Sequence, residues 1–208
     1  DKSRSRGLGD VYKRQVSLGS VAVSSASDKI INRAIMINTD GKVISRYDKI
    51  HLFDVQISPT EIYRESATVI AGDNASIINF DDFKLAHVIC YDLRFPQLFR
   101  DLAQAGAEVI AVPAAFMKKT GEVHWHVLNR ARAIENGCFI VAPCAVGGIP
   151  GGGESYGHSL IVNPWGEVLA DGKAERGFIQ AHIDLDEVKD VRAKIPSLSH
   201  DQNYKVTS

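Results

Sequence analysis

Between Lys84 and Ala145 the sequence changes its period repeatedly. The short apolar runs KLAHVIC, EVIAVP and CFIVAPCA alternate with two stretches whose apolar residues return every three or four positions. Strand, helix, strand, helix, strand in that order admits few folds, because a helix joining two strands of one sheet must cover a face of it; the pattern predicts an α/β layered core. The first helical stretch opens at Pro96 and runs to Ala105 before Gly106. The second, Glu122 to Asn136, spaces Val123, Val127, Ala131 and Ile134 along one face and stops at Gly137. Proline suits a first helical turn and glycine a left-handed stop. Upstream, VSLGSVAVSS, NRAIMIN and VISRYDK read as strands, the last two joined by a Thr39-Asp40-Gly41-Lys42 turn of hairpin type. ASIINF, HSLIV and GFIQAHIDL add further strands, and hairpins at both ends predict a mixed sheet.

The chain has 208 residues, of which 45% are hydrophobic and 24% charged, enough for one sizeable core. A formal net charge of -1 leaves no field of one sign to hold nucleic acid or a membrane surface, so a small molecule is the expected partner. Three cysteines and the lack of an apolar run of about 18 residues predict a reduced, soluble, cytoplasmic protein. The opening DKSRSRGLGDVYKRQ holds five Lys or Arg and no period that continues into the strand pattern from Val16; residues 1–15 read as a non-native segment, with a single domain over 16–208. The glycine-rich GGIPGGGESYG, Gly147 to Gly157, reads as a loop and lacks the ending of a phosphate cradle.

Three stretches carry candidate chemistry. Cys90 ends the run KLAHVIC, and ligands of layered α/β proteins bind at the carboxyl ends of strands. The helix beginning near Pro96 brings backbone N–H groups that favour a thiolate. Taken alone, Cys90 is equally a small buried hydrophobe, the reading adopted for Cys138 and Cys144, whose spacing of six places both on one strand face. Lys49, in RYDKIHLFD, stands among apolar Ile50, Leu52 and Phe53, where a partly desolvated ammonium can stabilise an oxyanion. Glu65, in YRES, follows Lys49 by sixteen residues. Each has a bland alternative: a solvated strand-end lysine, an exposed loop carboxylate.

Together, "YDKIHLFD", "YRESATVIAGD", "ICYDLRFPQLFRDLAQAGAEVIAVPAAF", "GEVHWHVLNRARAIENGCFIVAP", "SYGHSLIVNPWGEVLAD" and "VRAKIPSL" resemble successive blocks of the nitrilase superfamily of carbon–nitrogen hydrolases, in its Nit amidase branch. The resemblance covers nearly everything from Val16 onward. It implies a four-layer α-β-β-α sandwich lacking its N-terminal elements, a homodimer or higher homo-oligomer, and chemistry without metal or organic cofactor. Cys90 would attack the amide carbon, ammonia would leave, and water would hydrolyse the thioester. Lys49 and the backbone N–H of Tyr91 would bind the oxyanion, while Glu65 would orient the lysine or the substrate and position water. Phe116, Met117 and Thr120 resemble the pocket-lining segment. DLRFP and GEVHW resemble amidases acting on ω-amides of small 2-oxo acids or on deaminated glutathione. Arg94 would then bind a substrate carboxylate, its alternative being an ion pair with Asp92 or Asp101.

The match breaks at the family's general base, a glutamate in a Pro-Glu context upstream of the lysine. This sequence has no glutamate before Glu61, and Asp10, Asp28 and Asp40 sit in no matching motif. The expectation is therefore a piece of an amidase, impaired as a catalyst and exposing apolar sheet surface. The alternatives are a nitrilase-like binding protein without turnover, and nitrile or N-carbamoyl amino acid specificity. A papain-like pairing of Cys90 with His124 or His158 leaves Lys49 and YRES unexplained. A zinc site is disfavoured because no CxxC exists and His124 and His126 diverge on a helix.

Overall fold

The computed structural model describes residues 14–149 and 153–207. Of the basic opening segment only Arg14 and Gln15 fall among these, so its non-native reading lies outside the described residues. No helix of the described residues is long and apolar enough to cross a membrane.

Strands β1 (Val16–Ser24), β2 (Ile30–Ile37) and β3 (Val43–Asp48) form an antiparallel sheet, with β6 (Val69–Ile70) added in parallel to β2. The Asp40-Gly41 turn joins β2 to β3 as expected, with Gly41 at φ 76°. A ribbon of β4 (Asp54–Ser58) and β5 (Glu61–Arg64) comes next. The second sheet is six-stranded and mixed: β14 (Val168–Asp171), β13 (Leu160–Val162), β10 (Phe139–Ala142), β9 (Val109–Ala111), β8 (Lys84–His87) and β7 (Ile77–Asn79), in that spatial order. Its three middle strands, β10, β9 and β8, are parallel. Helices α1 (Pro96–Gln104) and α2 (Lys118–Asn136) are the crossovers between them.

The central strands are buried on both faces and alternate accordingly. Ala86, Ile110, Ile140 and Ala142 join the core under α1 and α2, whereas Leu85, Val109 and Phe139 point the other way, to a core shared with Met36 of β2. A hydrogen bond of 2.8 Å between Ser17 Oγ and the buried His87 Nε2 also ties the sheets together. The described residues thus hold helix, sheet and sheet layers, with α3 (Asp186–Lys194) contributing Val188 to the inter-sheet core.

Four expectations need correction. The run GFIQAHIDL, residues 177–185, forms no strand and leads in extended chain to α3. α2 begins at Lys118, four residues before Glu122, because the chain turns directly from the pocket segment at Met117 into the helix. The spaced residues Val123, Val127 and Ile134 are 62%, 65% and 51% exposed; the helix buries Gly121, Trp125, Asn129, Arg132, Ala133 and Asn136 instead. Polar side chains tolerate that face because backbone carbonyls receive them: Arg132 donates to Leu93 O at 2.9 and 3.0 Å, and Asn136 to Arg132 O at 2.8 Å. Finally, the glycine-rich loop is flanked by paired strands β11 (Val146–Gly148) and β12 (Glu154–Tyr156), since glycine at φ 92° and φ 89° lets the chain reverse tightly. Cys138 and Cys144 are buried as expected, at the two ends of β10.

Candidate active site

β8 ends at His87, and three residues later Cys90 opens a 3-10 turn, Cys90–Arg94. Cys90 has φ 49°, a left-handed conformation that costs a non-glycine residue free energy and persists only where the surroundings enforce it. Here they do. Cys90 N donates to Pro113 O at 3.0 Å, and the fully buried Asp92 accepts Ile89 N at 2.8 Å, Tyr47 OH at 2.7 Å and His51 N at 3.0 Å. Burial beside Asp92 pushes the Tyr47 hydroxyl far above its usual range, so it stays a donor.

Lys49 is 3% exposed, at the end of β3. Its backbone is held by Asn32 O (2.9 Å) and by Gly72 N (2.8 Å), and its ammonium meets Glu65 Oε2 at 2.5 Å. The same carboxylate accepts Phe53 N at 2.6 Å and, through Oε1, Asn32 Nδ2 at 3.5 Å. A side chain at Gly72 would strike the Asp48 carbonyl, so only glycine lets this segment close on the lysine.

These groups open on one cavity of about 470 Å3, lined by Cys90, Lys49, Glu65, Tyr91, Arg94, Phe116, Met117 and Thr120. All eight sequence-derived residues therefore come together. Asn32, Phe53 and Tyr63 line it too without having been singled out, and Asp92 shapes it from behind. Asn32 is the first residue of the run NRAIMIN and Asp92 lies two residues past the cysteine, and neither position signals a pocket role in the sequence. Among the described residues no histidine lines the cavity, and Glu65 is its one acid. The papain-like pairing is thereby removed: His124 contacts Arg94 and His158 contacts Asp171. Arg94 forms no ion pair among the described residues; Asp101 is taken by Gln97, and the guanidinium lies 5.2 Å from the Phe116 ring centroid with 3.4 Å contacts to His124 Nδ1. Arg94 is nonetheless one of the residues that line the cavity.

Burial pushes the Cys90 thiol up to about 11; the Lys49 ammonium and the Ala115 backbone N–H pull the other way, and the Glu65 carboxylate pushes it further up. At neutral pH the group is a thiol, so attack on a carbonyl requires a base to take its proton.

A strained cysteine at a strand end, a buried lysine paired with a glutamate, and a two-sheet sandwich define a carbon–nitrogen hydrolase, and the chain belongs to that family, whose pattern it matches over residues 11–193. Among curated relatives it is 44% identical over 180 residues to the deaminated glutathione amidase of Synechocystis, an alignment covering 86% of this chain and 66% of the relative. Among solved structures it superposes on the C. elegans NitFhit protein with a TM-score of 0.88 at 35% identity, covering 96% of this chain and 49% of that one. Nit3 of Saccharomyces cerevisiae, a member of the nitrilase superfamily, superposes with a TM-score of 0.81 at 31% identity, covering 94% and 68%. The fold is the nitrilase fold. The chain spans from about half to two thirds of the length of these relatives.

Proposed function

We propose that this chain carries the nucleophile and oxyanion machinery of an amidase that hydrolyses small linear amides bearing a carboxylate. The observation that carries the reading is the convergence of Cys90, the Lys49–Glu65 pair and Arg94 on one cavity. Cys90 Sγ attacks the amide carbon and its proton passes to the departing ammonia. Water then attacks the thioester carbon, restoring the thiol and releasing the acid. Lys49 and the Tyr91 N–H, at the start of the 3-10 turn, stand where negative charge develops on the carbonyl oxygen. Glu65 fixes the ammonium by its short contact and lines the space where the hydrolytic water would sit. Arg94 offers a planar pair of donors matched to a substrate carboxylate. Likeness to relatives named deaminated glutathione amidase supports an amide of that kind.

The raised pKa of the thiol and the engagement by Lys49 of Glu65, the one acid lining the cavity among the described residues, also favour a second reading, a pocket that binds such amides with little turnover. One assay separates the two. Ammonia release is monitored with ω-amides of 2-oxo acids, nitriles and N-carbamoyl amino acids, beside calorimetry of amide binding. Slow release from the ω-amide, abolished by Cys90→Ala and by Lys49→Ala, supports the amidase. Saturable binding without release, lost in Arg94→Ala, supports the binding pocket. Faster release from a nitrile or an N-carbamoyl amino acid overturns the substrate class.

We further read the exposed stripe Val123, Val127 and Ile134 on α2 as the face through which two copies associate, because a contiguous apolar strip on an otherwise polar helix surface is a contact surface awaiting a partner.

A further inference from the structure

Away from the cavity, α2 and the chain after β12 bring together three groups with no part in the chemistry above. His126, His158 and Asp171 each offer one donor atom, and these atoms lie within 4.8 Å of one another. His126 Nε2 stands 3.4 Å from Asp171 Oδ2, and His158 Nδ1 stands 3.0 Å from Asp171 Oδ1. A zinc-class ion about 2.0–2.2 Å from each donor in tetrahedral geometry needs donor atoms about 3.4 Å apart, so a small closure of the imidazoles completes the arrangement. The side chains are 33%, 21% and 12% exposed, sheltered yet reachable, and Asp171 and Lys173 border a cavity of about 650 Å3.

A second observation points to the same place. Among the described residues, three other than glycine adopt left-handed backbone: Cys90, His158 at φ 54° and Lys173 at φ 54°. One is the nucleophile; the other two border this cluster. Such strain marks positions that the surrounding structure enforces. His158 is enforced from both sides, its N–H donating to Lys173 O at 2.5 Å and its carbonyl accepting Trp125 Nε1 at 2.7 Å, while Tyr156 stacks on its ring at 4.4 Å. Lys173 Nζ reaches Asp171 Oδ2 at 2.8 Å on a side chain 67% exposed. That ammonium neutralises the carboxylate oxygen which also faces His126, on a side chain exposed enough to leave for solvent.

We propose that His126, His158 and Asp171 form a site for one divalent cation of the zinc class, with Lys173 as the resident charge that the ion displaces. Two imidazole nitrogens and one carboxylate select borderline transition ions over Mg2+ and Ca2+, which prefer oxygen donors. The ion would clamp the first half of α2 to the end of β14. The site is independent of the amidase reading, since none of its residues lines the Cys90 cavity.

The test is a Co2+ titration of the tag-free chain, read by visible d–d absorption and by calorimetry, with Zn2+ as competitor. We expect one saturable site per chain, retained in Cys90→Ala. His126→Gln and His158→Asn should weaken it roughly tenfold or more, asparagine being tolerant of the left-handed backbone. Lys173→Ala should tighten binding several-fold, a gain that misfolding cannot produce; circular dichroism of the two histidine variants checks their fold. The proposal is overturned if no saturation is reached below about 1 mM, if a folded His158→Asn binds as the parent does, if Lys173→Ala binds no tighter, or if Mg2+ competes as well as Zn2+.

Discussion

Cys90 shows how one residue is made chemically unusual by its neighbours. Its backbone is strained, its side chain is partly buried at the cavity wall, and Lys49 only partly offsets the cost of putting a thiolate there. With the thiol held near 11, about one in ten thousand is ionised at pH 7. Iodoacetamide labelling of Cys90, quantified by mass spectrometry, should therefore rise about tenfold per pH unit from pH 7 to 10. Lys49→Met should slow it further by removing the favourable charge. A plateau below pH 8 would show the thiolate to be stabilised already and would refute this account. A cysteine ending an apolar run is ambiguous by itself, and so are a lysine among hydrophobes and a loop glutamate; what made Cys90, Lys49 and Glu65 legible was their joint likeness to family blocks. The roles of Asn32 and Asp92 were not legible, because each acts through groups that come near only once β2, β3 and the 3-10 turn are assembled.

At the level of the element, α2 is the instructive case. Its period was visible, but the apolar stripe is not the face the helix buries, because periodicity reports where apolar residues lie and not which side the sheet occupies. The side that faces the sheet is chosen by the fully buried Trp125 and Ala133 and by Arg132, whose guanidinium caps the carbonyl of Leu93 behind the nucleophile turn. Gly121 lies on that side: a Cβ there would run into the Tyr156 ring. Alanine gains about 1 kcal/mol of helix propensity over glycine, whereas overpacking against a ring stacked on His158 costs about 1–3 kcal/mol, and we expect the clash to win. Urea unfolding should show Gly121→Ala less stable by about 1–2 kcal/mol; a stabilised variant would mean that Tyr156 gives way freely. The opposite face makes its own prediction. Val127→Asp should convert the proposed dimer to monomers in light scattering while leaving the thermal midpoint of the monomer nearly unchanged, and a parent chain that is already monomeric would remove the dimer reading.

For the molecule as a whole, the alternation of apolar runs and helical stretches was enough to give the mixed sheet, because strands buried on both faces must be continuously apolar. The sequence was silent on how the two sheets meet, since spacing marks neither the apolar contact of Met36 with Leu85, Val109 and Phe139 nor a polar pair set between the sheets. Ser17 and His87 are the clearest example. His87 is 2% exposed in the middle of the sandwich, and burial lowers its imidazole to about 4 from the ordinary value near 6.5. Above pH 6.5 it is neutral in both folded and unfolded chains and stability is unaffected. As the pH falls, the unfolded chain takes up a proton that the folded chain refuses, so stability is lost progressively down to about pH 4, by about 3 kcal/mol in all. Carboxylates such as Asp171 and Asp201, held below their usual range by hydrogen bonds, lose their contribution mainly at lower pH. Urea midpoints for the parent and His87→Gln between pH 7 and pH 4 isolate the effect, because glutamine can bond Ser17 without titrating. The stability gap between them should shift in favour of the variant by about 3 kcal/mol across that interval. Parallel curves would mean that the inter-sheet space admits water and that His87 titrates as an exposed imidazole does.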